Sequence, residues 1–116
     1  MMCQTPPMRD NRPDAAAMGL AVPLLSDEEI ARAIDGLPGW ARDGETLAAS
    51  FRRKDWRDAV AFVNEIGDEA ERRDHHPDVC ITGYRTVTLR LTTHSQGGVT
   101  QRDVNLATWI SEAADR

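Results

Sequence analysis

Between residues 46 and 93 the apolar residues change period twice, and few folds are open to a chain that does this. Over 46–53, Leu47, Ala49 and Phe51 alternate with Thr46, Ala48 and Ser50, the period of two shown by a strand with one covered face. From Trp56 the period lengthens. Trp56, Ala59, Val60, Val63, Ile66, Gly67 and Ala70 recur at the i, i+3, i+4, i+7 spacing of a helix face. Arg57, Asp58, Asn64, Glu65, Asp68, Glu69 and Arg72 fill the solvated side, and Asp55 is placed to cap the helix. Phe62 falls off this stripe; a wide stripe is the simpler account, a contact with a partner subunit the sharper one. Over 86–93 the period returns to two, with Val87, Leu89 and Leu91 on one face and Thr88, Arg90 and Thr92 on the other.

The remaining elements fit around this core pattern. Ser26, Asp27, Glu28, Glu29 is a capping box, so a helix begins there; Ile30, Ala33 and Ile34 form its stripe, and Gly36 and Pro38 stop it. An extended segment opens at Trp40, and Asp43-Gly44 is a strong two-residue hairpin signal between strands near 40–43 and 46–53. Pro77 forces the long helix to end near Asp74. Strands at 79–82 and 86–93 join through Gly83 and Tyr84, and a last helix starts in the run Thr100 to Asp103, with Val104, Ala107, Ile110 and Ala114 facing inward. The order α-β-β-α-β-β-α predicts an α+β domain, one antiparallel sheet with helices on one face.

Residues 1–24 hold four of the six prolines and all four methionines, with no sustained period, and are expected to form a flexible tail before a domain over 25–116. Translation starting as late as Met18 would leave that domain whole. A formal net charge of -5 argues against a nucleic-acid surface, which needs a positive patch. Cys3 and Cys80 share neither metal spacing nor disulfide logic, consistent with a reduced, cytoplasmic compartment. No apolar run approaches the roughly 20 residues of a membrane span. A domain of this size buries only roughly 60 to 65% of its unfolded surface, so self-association would help it.

All three histidines lie between Glu71 and Asp103, two of them adjacent at the exit of the long helix. Imidazole titrates near neutrality, so His75, His76 and His94 invite an acid/base reading. Each position also has a plainer account. A histidine beside a helix C-terminus interacts with the dipole, Asp103 can simply close a capping box begun by Thr100, and His94 can simply end a strand. Metal binding by His75, His76, His94 and Asp103 is disfavoured, because adjacent histidines in extended chain point to opposite sides and no zinc motif is present.

Together, Glu71-x-x-Asp74-His75-His76-Pro77, then Thr92-Thr93-His94, Gly97-Gly98-Val99-Thr100 and Arg102-Asp103 followed by Asn105-Leu106-Ala107, resemble the pterin-4a-carbinolamine dehydratase family over residues 26–116. The resemblance implies a four-stranded antiparallel sheet with three helices on one face, and a homodimer or homotetramer. It also implies dehydration of a 4a-hydroxytetrahydropterin to the quinonoid dihydropterin, with no metal or organic cofactor. His75 and His94 would transfer protons, and His76 would bind substrate with some catalytic share. Asp103 would orient an imidazole or bind the pterin, with Glu71, Asp74, Pro77, Thr93, Arg102 and Trp40 around the substrate. Family members also act as binding modules, one animal form being a dimerisation cofactor of a homeodomain protein, so an assembly role is the alternative.

Overall fold

The computed structural model describes residues 22–116. In chain order the elements are α1 (Asp27–Asp35), β1 (Ala41–Asp43), β2 (Thr46–Arg52), α2 (Trp56–Arg73), β3 (Asp78–Thr82), β4 (Thr86–Leu91), a 3-10 turn (His94–Gln96) and α3 (Gln101–Ala114). This is the expected order, and the four strands form one antiparallel sheet with spatial order β1-β2-β4-β3. The two alternating runs are its centre. Leu47 pairs with Leu91, Ala49 with Leu89 and Phe51 with Val87, so both strands turn their apolar sets to one face. Ile30, Phe62, Ile66, Leu106 and Ile110 from the three helices close over that face in one continuous core. Short, exposed β1, which carries Arg42 and Asp43, occupies one edge, where charge discourages further pairing.

Both expected capping boxes form: Ser26 with Glu29 at α1, Thr100 with Asp103 at α3. Asp55 caps α2 by accepting the Asp58 N–H at 2.8 Å. The stripe of α2, however, is rotated from the one spacing suggests. Its buried residues are Ala59, Phe62, Ile66, Glu69 and Ala70, while Trp56 is 46% exposed and Gly67 faces solvent. Phe62 explains the rotation. It is the bulkiest apolar side chain on the inner half of the helix, and it meets Phe51 edge-on at 5.5 Å with the Arg53 guanidinium 4.3 Å from its ring centre. The sheet offers Phe62 an aromatic partner in Phe51, so this side of the helix faces the core. Phe62 is therefore core, and contact with a partner subunit is excluded for it. Glu69, expected on the solvated side, is carried inward by the same rotation.

Strand ends also shift. β2 stops at Arg52, and β4 stops at Leu91 rather than running to Thr93, because Leu91 is the last residue with a partner on β2. Beyond it the Thr92 hydroxyl donates to the Glu45 carbonyl at 2.7 Å, and the Thr93 N–H turns to the Gly98 carbonyl at 2.8 Å. Gly98 sits close against this turn: a Cβ there would lie 2.7 Å from Glu45 Oε2 and 3.1 Å from Leu24 Cδ2, and these two side-chain ends would have to move aside. The turn brings Thr93 back beside Thr100, at the start of α3.

Most of the expected tail lies outside the described residues. Its last residue, Leu24, forms an antiparallel bridge with Thr100, and the Leu25 N–H donates to the Val99 carbonyl at 2.9 Å, so ordered contacts begin before residue 25. Among the described residues no helix is long and apolar enough to cross a membrane.

Candidate active site

The site is built where α2 ends and α3 begins. Asp74 closes α2 in the left-handed conformation (φ 49°, ψ 44°), and the His75 N–H reaches back to the Ala70 carbonyl at 3.0 Å. The chain then runs extended into Pro77, and neighbouring side chains on extended backbone point opposite ways. His75 consequently enters the interior, and His76 stays at the surface.

His75 Nε2 lies 2.6 Å from Asp103 Oδ1. The other oxygen, Oδ2, accepts the Thr93 hydroxyl at 2.8 Å and the Thr100 N–H at 2.9 Å. Thr93 has one hydroxyl hydrogen, given to Asp103, so in the 2.8 Å contact between the two threonine hydroxyls Thr100 is the donor. Donors thus surround Asp103, which suits an ionised carboxylate. An ionised carboxylate only accepts, so the hydrogen between the pair sits on His75 Nε2 and leaves Nδ1 as the nitrogen available to a ligand. Asp103 is fully buried. The contacts of both accounts of this residue are present, the helix cap through Oδ2 and the imidazole through Oδ1.

A cleft of about 220 Å³ opens beside the pair, lined by Arg73, His75, Arg102 and Asn105. Arg102 is anchored by Nη2, which donates to the carbonyls of Asp74 at 2.9 Å and Arg73 at 3.3 Å, tying the first turn of α3 to the last turn of α2. Asn105 accepts from Gln101 Nε2 at 2.9 Å through its side-chain oxygen, leaving its amide hydrogens for other partners. Behind Arg73, Glu69 accepts from Arg73 Nε at 2.6 Å and from Arg72 Nη2. The Arg73 hydrogen bond, with that of Arg72, holds the Glu69 carboxyl below its ordinary range.

The other expected site residues stand elsewhere. His76 Nε2 is 2.7 Å from Glu71 Oε1 in an exposed pair. Pro77 is half-buried, and Asp74 contributes its carbonyl to Arg102. Thr93 is buried behind Asp103, where its hydroxyl steadies the carboxylate. Trp40 is a core residue, its indole N–H on Ser111 Oγ at 2.8 Å and its ring edge-on to Phe51 at 6.1 Å. His94 is exposed on the 3-10 turn and does not line the cleft. Parity accounts for this: Val87, Leu89, Leu91 and Thr93 are the inward positions, and His94 is the next one out. Among the described residues no three His, Cys, Asp or Glu side chains gather as a metal ion would require. Arg73 and Glu69 carry no signal in the sequence beyond their place in the last turns of a helix, and Asn105 is found only by standing two residues after Asp103.

Comparison with known proteins places the chain in a family. The family pattern described as pterin 4 alpha carbinolamine dehydratase matches residues 23–113. A Nocardia farcinica protein named as a candidate pterin-4-alpha-carbinolamine dehydratase is 46% identical over 91 residues, 78% of this chain and 95% of its own. A Thermomicrobium roseum protein named in the same way is 44% identical over 90 residues, 78% of this chain and 96% of its own. The crystal structure of a Brucella melitensis protein described as a transcriptional coactivator/pterin dehydratase superposes with TM-score 0.74 at 33% identity, covering 78% of this chain and 98% of that one. A pterin dehydratase-like RuBisCO assembly factor of the alpha-carboxysome shares the fold, with TM-score 0.57 at 18% identity over 66% of this chain and 89% of that one. The match across the whole described domain shows that this chain belongs to the pterin-4a-carbinolamine dehydratase family.

Proposed function

We propose that the protein removes water from a 4a-hydroxytetrahydropterin, giving a quinonoid dihydropterin, with His75 as the residue that moves a proton. The observation that carries this reading is the buried His75–Asp103 pair at the wall of an open cleft, with Nε2 in a 2.6 Å contact and Nδ1 in no hydrogen bond among the described residues. In the reaction a ring nitrogen loses its proton, the carbon–oxygen bond at C4a breaks, and the hydroxyl leaves as water after gaining a proton. Neutral His75 takes the ring proton on Nδ1. Asp103 stabilises the imidazolium so formed, and Thr93 and the Thr100 N–H hold the carboxylate still. A positioned proton transfer of this kind contributes ~10² to 10⁴ in rate. Asn105 and Arg102 supply hydrogen-bond donors to the pterin edge. His94 stands outside the cleft lining, so water in the open cleft supplies the proton for the leaving hydroxyl, and His76 with Glu71 lies at the surface beside His75. None of these steps uses a metal, so a chelator leaves the rate unchanged.

Purified protein should accelerate loss of the 4a-hydroxy adduct in a coupled aromatic amino-acid hydroxylase assay. Well-folded protein without any acceleration would defeat the reading. It would favour the second one, a protein-binding module, which the coactivator description of the Brucella relative supports. We also propose a dimer or tetramer, on the strength of the open edge of β3 and the exposed Trp56. Light scattering at the 12.9 kDa monomer mass across micromolar concentrations would contradict it.

A further inference from the structure

Two arginines line the cleft, and a neutral pterin has little use for two. Arg102 has a structural task in joining α3 to the end of α2. Arg73 has none of that kind. A bland account treats Arg72 and Arg73 alike, as basic residues in the last turn of α2 that complement the helix dipole. The two differ, however, in where they point. Arg72 is 74% exposed and away from the cleft, whereas Arg73 is 33% exposed and forms part of the cleft wall. Glu69 makes the difference durable. Its carboxylate is buried, one turn back, and takes Arg73 by Nε, the nitrogen nearest the stem. Among the described residues neither terminal nitrogen of Arg73 has a protein acceptor. A guanidinium held by Nε presents a planar fork, the geometry that matches a carboxylate or phosphate.

We propose that this site takes a pterin whose side chain carries an anionic group, a carboxylate or a phosphate, and that Arg73, positioned by Glu69, is the residue that selects it. The inference rests on the pterin reading above and names the class of pterin within it. The ring lies against His75, Asn105 and Arg102, and the anion on its side chain meets the terminal nitrogens of Arg73. Filling the cleft with a ligand whose side chain is neutral would strip water from the terminal nitrogens of Arg73 with nothing in return, whereas an anion replaces that water with charge-assisted hydrogen bonds. Glu69 is a positioning residue in this account, acting only through Arg73.

Equilibrium binding to the full chain, followed by quenching of pterin fluorescence, tests this with three ligands: neutral 6-hydroxymethylpterin, its monophosphate, and pterin-6-carboxylate. The unmodified protein should bind one of the anionic ligands at least tenfold more tightly than the neutral one, the size of one hydrogen bond to a charged group. Which anion binds more tightly identifies the group. Arg73→Leu should abolish that preference, Glu69→Gln should reduce it, and Arg72→Leu, which removes an equal charge outside the cleft, should retain it. Circular dichroism of each variant checks that the fold is kept. Equal binding of the neutral and anionic ligands, a preference that survives Arg73→Leu, or an equal loss in Arg72→Leu would overturn the assignment while leaving the pterin reading standing. Failure of all three ligands to bind would overturn both.

Discussion

The molecule contains the same pair twice, a histidine Nε2 against a carboxylate oxygen, on adjacent residues. His75 with Asp103 is 2.6 Å and His76 with Glu71 is 2.7 Å. Their surroundings differ completely: the first pair is 9% and 0% exposed, the second 43% and 79%. An exposed ion pair is screened by water and loses side-chain entropy on forming, so its net worth is about 0 to 1 kcal/mol. A buried pair is held by its neighbours, and removing one partner leaves the other unsatisfied. Distance therefore says little about which histidine matters. What differs is the pair of donors behind Asp103, from Thr93 and the Thr100 backbone, for which Glu71 has no counterpart among the described residues.

Breaking the buried pair should have the largest effect. His75→Ala should lower kcat by ~10² to 10⁴ in the coupled assay, the range of a lost general acid/base, with KM changed far less. A fall in kcat of the same size for His76→Ala would erase the contrast between the pairs. Asp103→Asn comes next, and it should fail in two ways because the carboxylate has two duties. Turnover should drop as the imidazole loses its orienter, and chemical denaturation should show a loss of ~0.5 to 2 kcal/mol from the weakened cap. Loss of turnover with stability intact would separate the roles that the geometry joins. Thr93→Val removes one donor to Oδ2 at nearly constant volume. A destabilisation of ~1 to 3 kcal/mol is expected, together with a smaller kcat defect than that of Asp103→Asn.

The exposed pair should respond weakly. His76→Ala should change stability by under ~1 kcal/mol and act chiefly on KM. The smallest signal concerns Glu69, whose carboxyl the Arg73 hydrogen bond holds below its ordinary range, near 4.3 in unperturbed peptides. A carboxyl with a depressed folded-state pKa stabilises the fold above its unfolded value, and that stabilisation is lost as pH falls through the folded value. Melting curves of the unmodified protein and Glu69→Gln should therefore differ at pH 7 and converge as the pH is lowered below about 4. A gap that widened with acid would reverse the sign argued here.

Much of the fold could be read directly because local rules write it. Both capping boxes, the Asp43-Gly44 hairpin, the stop before Pro77 and the two alternating strands each depend on residues within a few positions of one another. The face of α2 could not be read this way. Spacing counts apolar residues without weighing them, and only the presence of Phe51 opposite determines that Phe62 turns inward and Trp56 outward. The site divides along the same line. The motif residues pointed to histidines gathered at the helix exit, and extended backbone before Pro77 already implied that His75 and His76 diverge. Which of them would be buried, and against what, depended on residues about thirty positions later in the chain.

The sequence by itself therefore determined the element order, the caps, the alternating faces of the two long strands and the family. Those follow from backbone geometry and side-chain period, which act over one or two turns. The tertiary structure alone decided that Asp103 serves both α3 and His75, that Thr93 stands behind the carboxylate while His94 faces solvent, and that Glu69 directs Arg73 into the cleft. The physical reason is that a carboxylate's partner, and a side chain's burial, are set by what packs against it across the fold, and no local spacing encodes that.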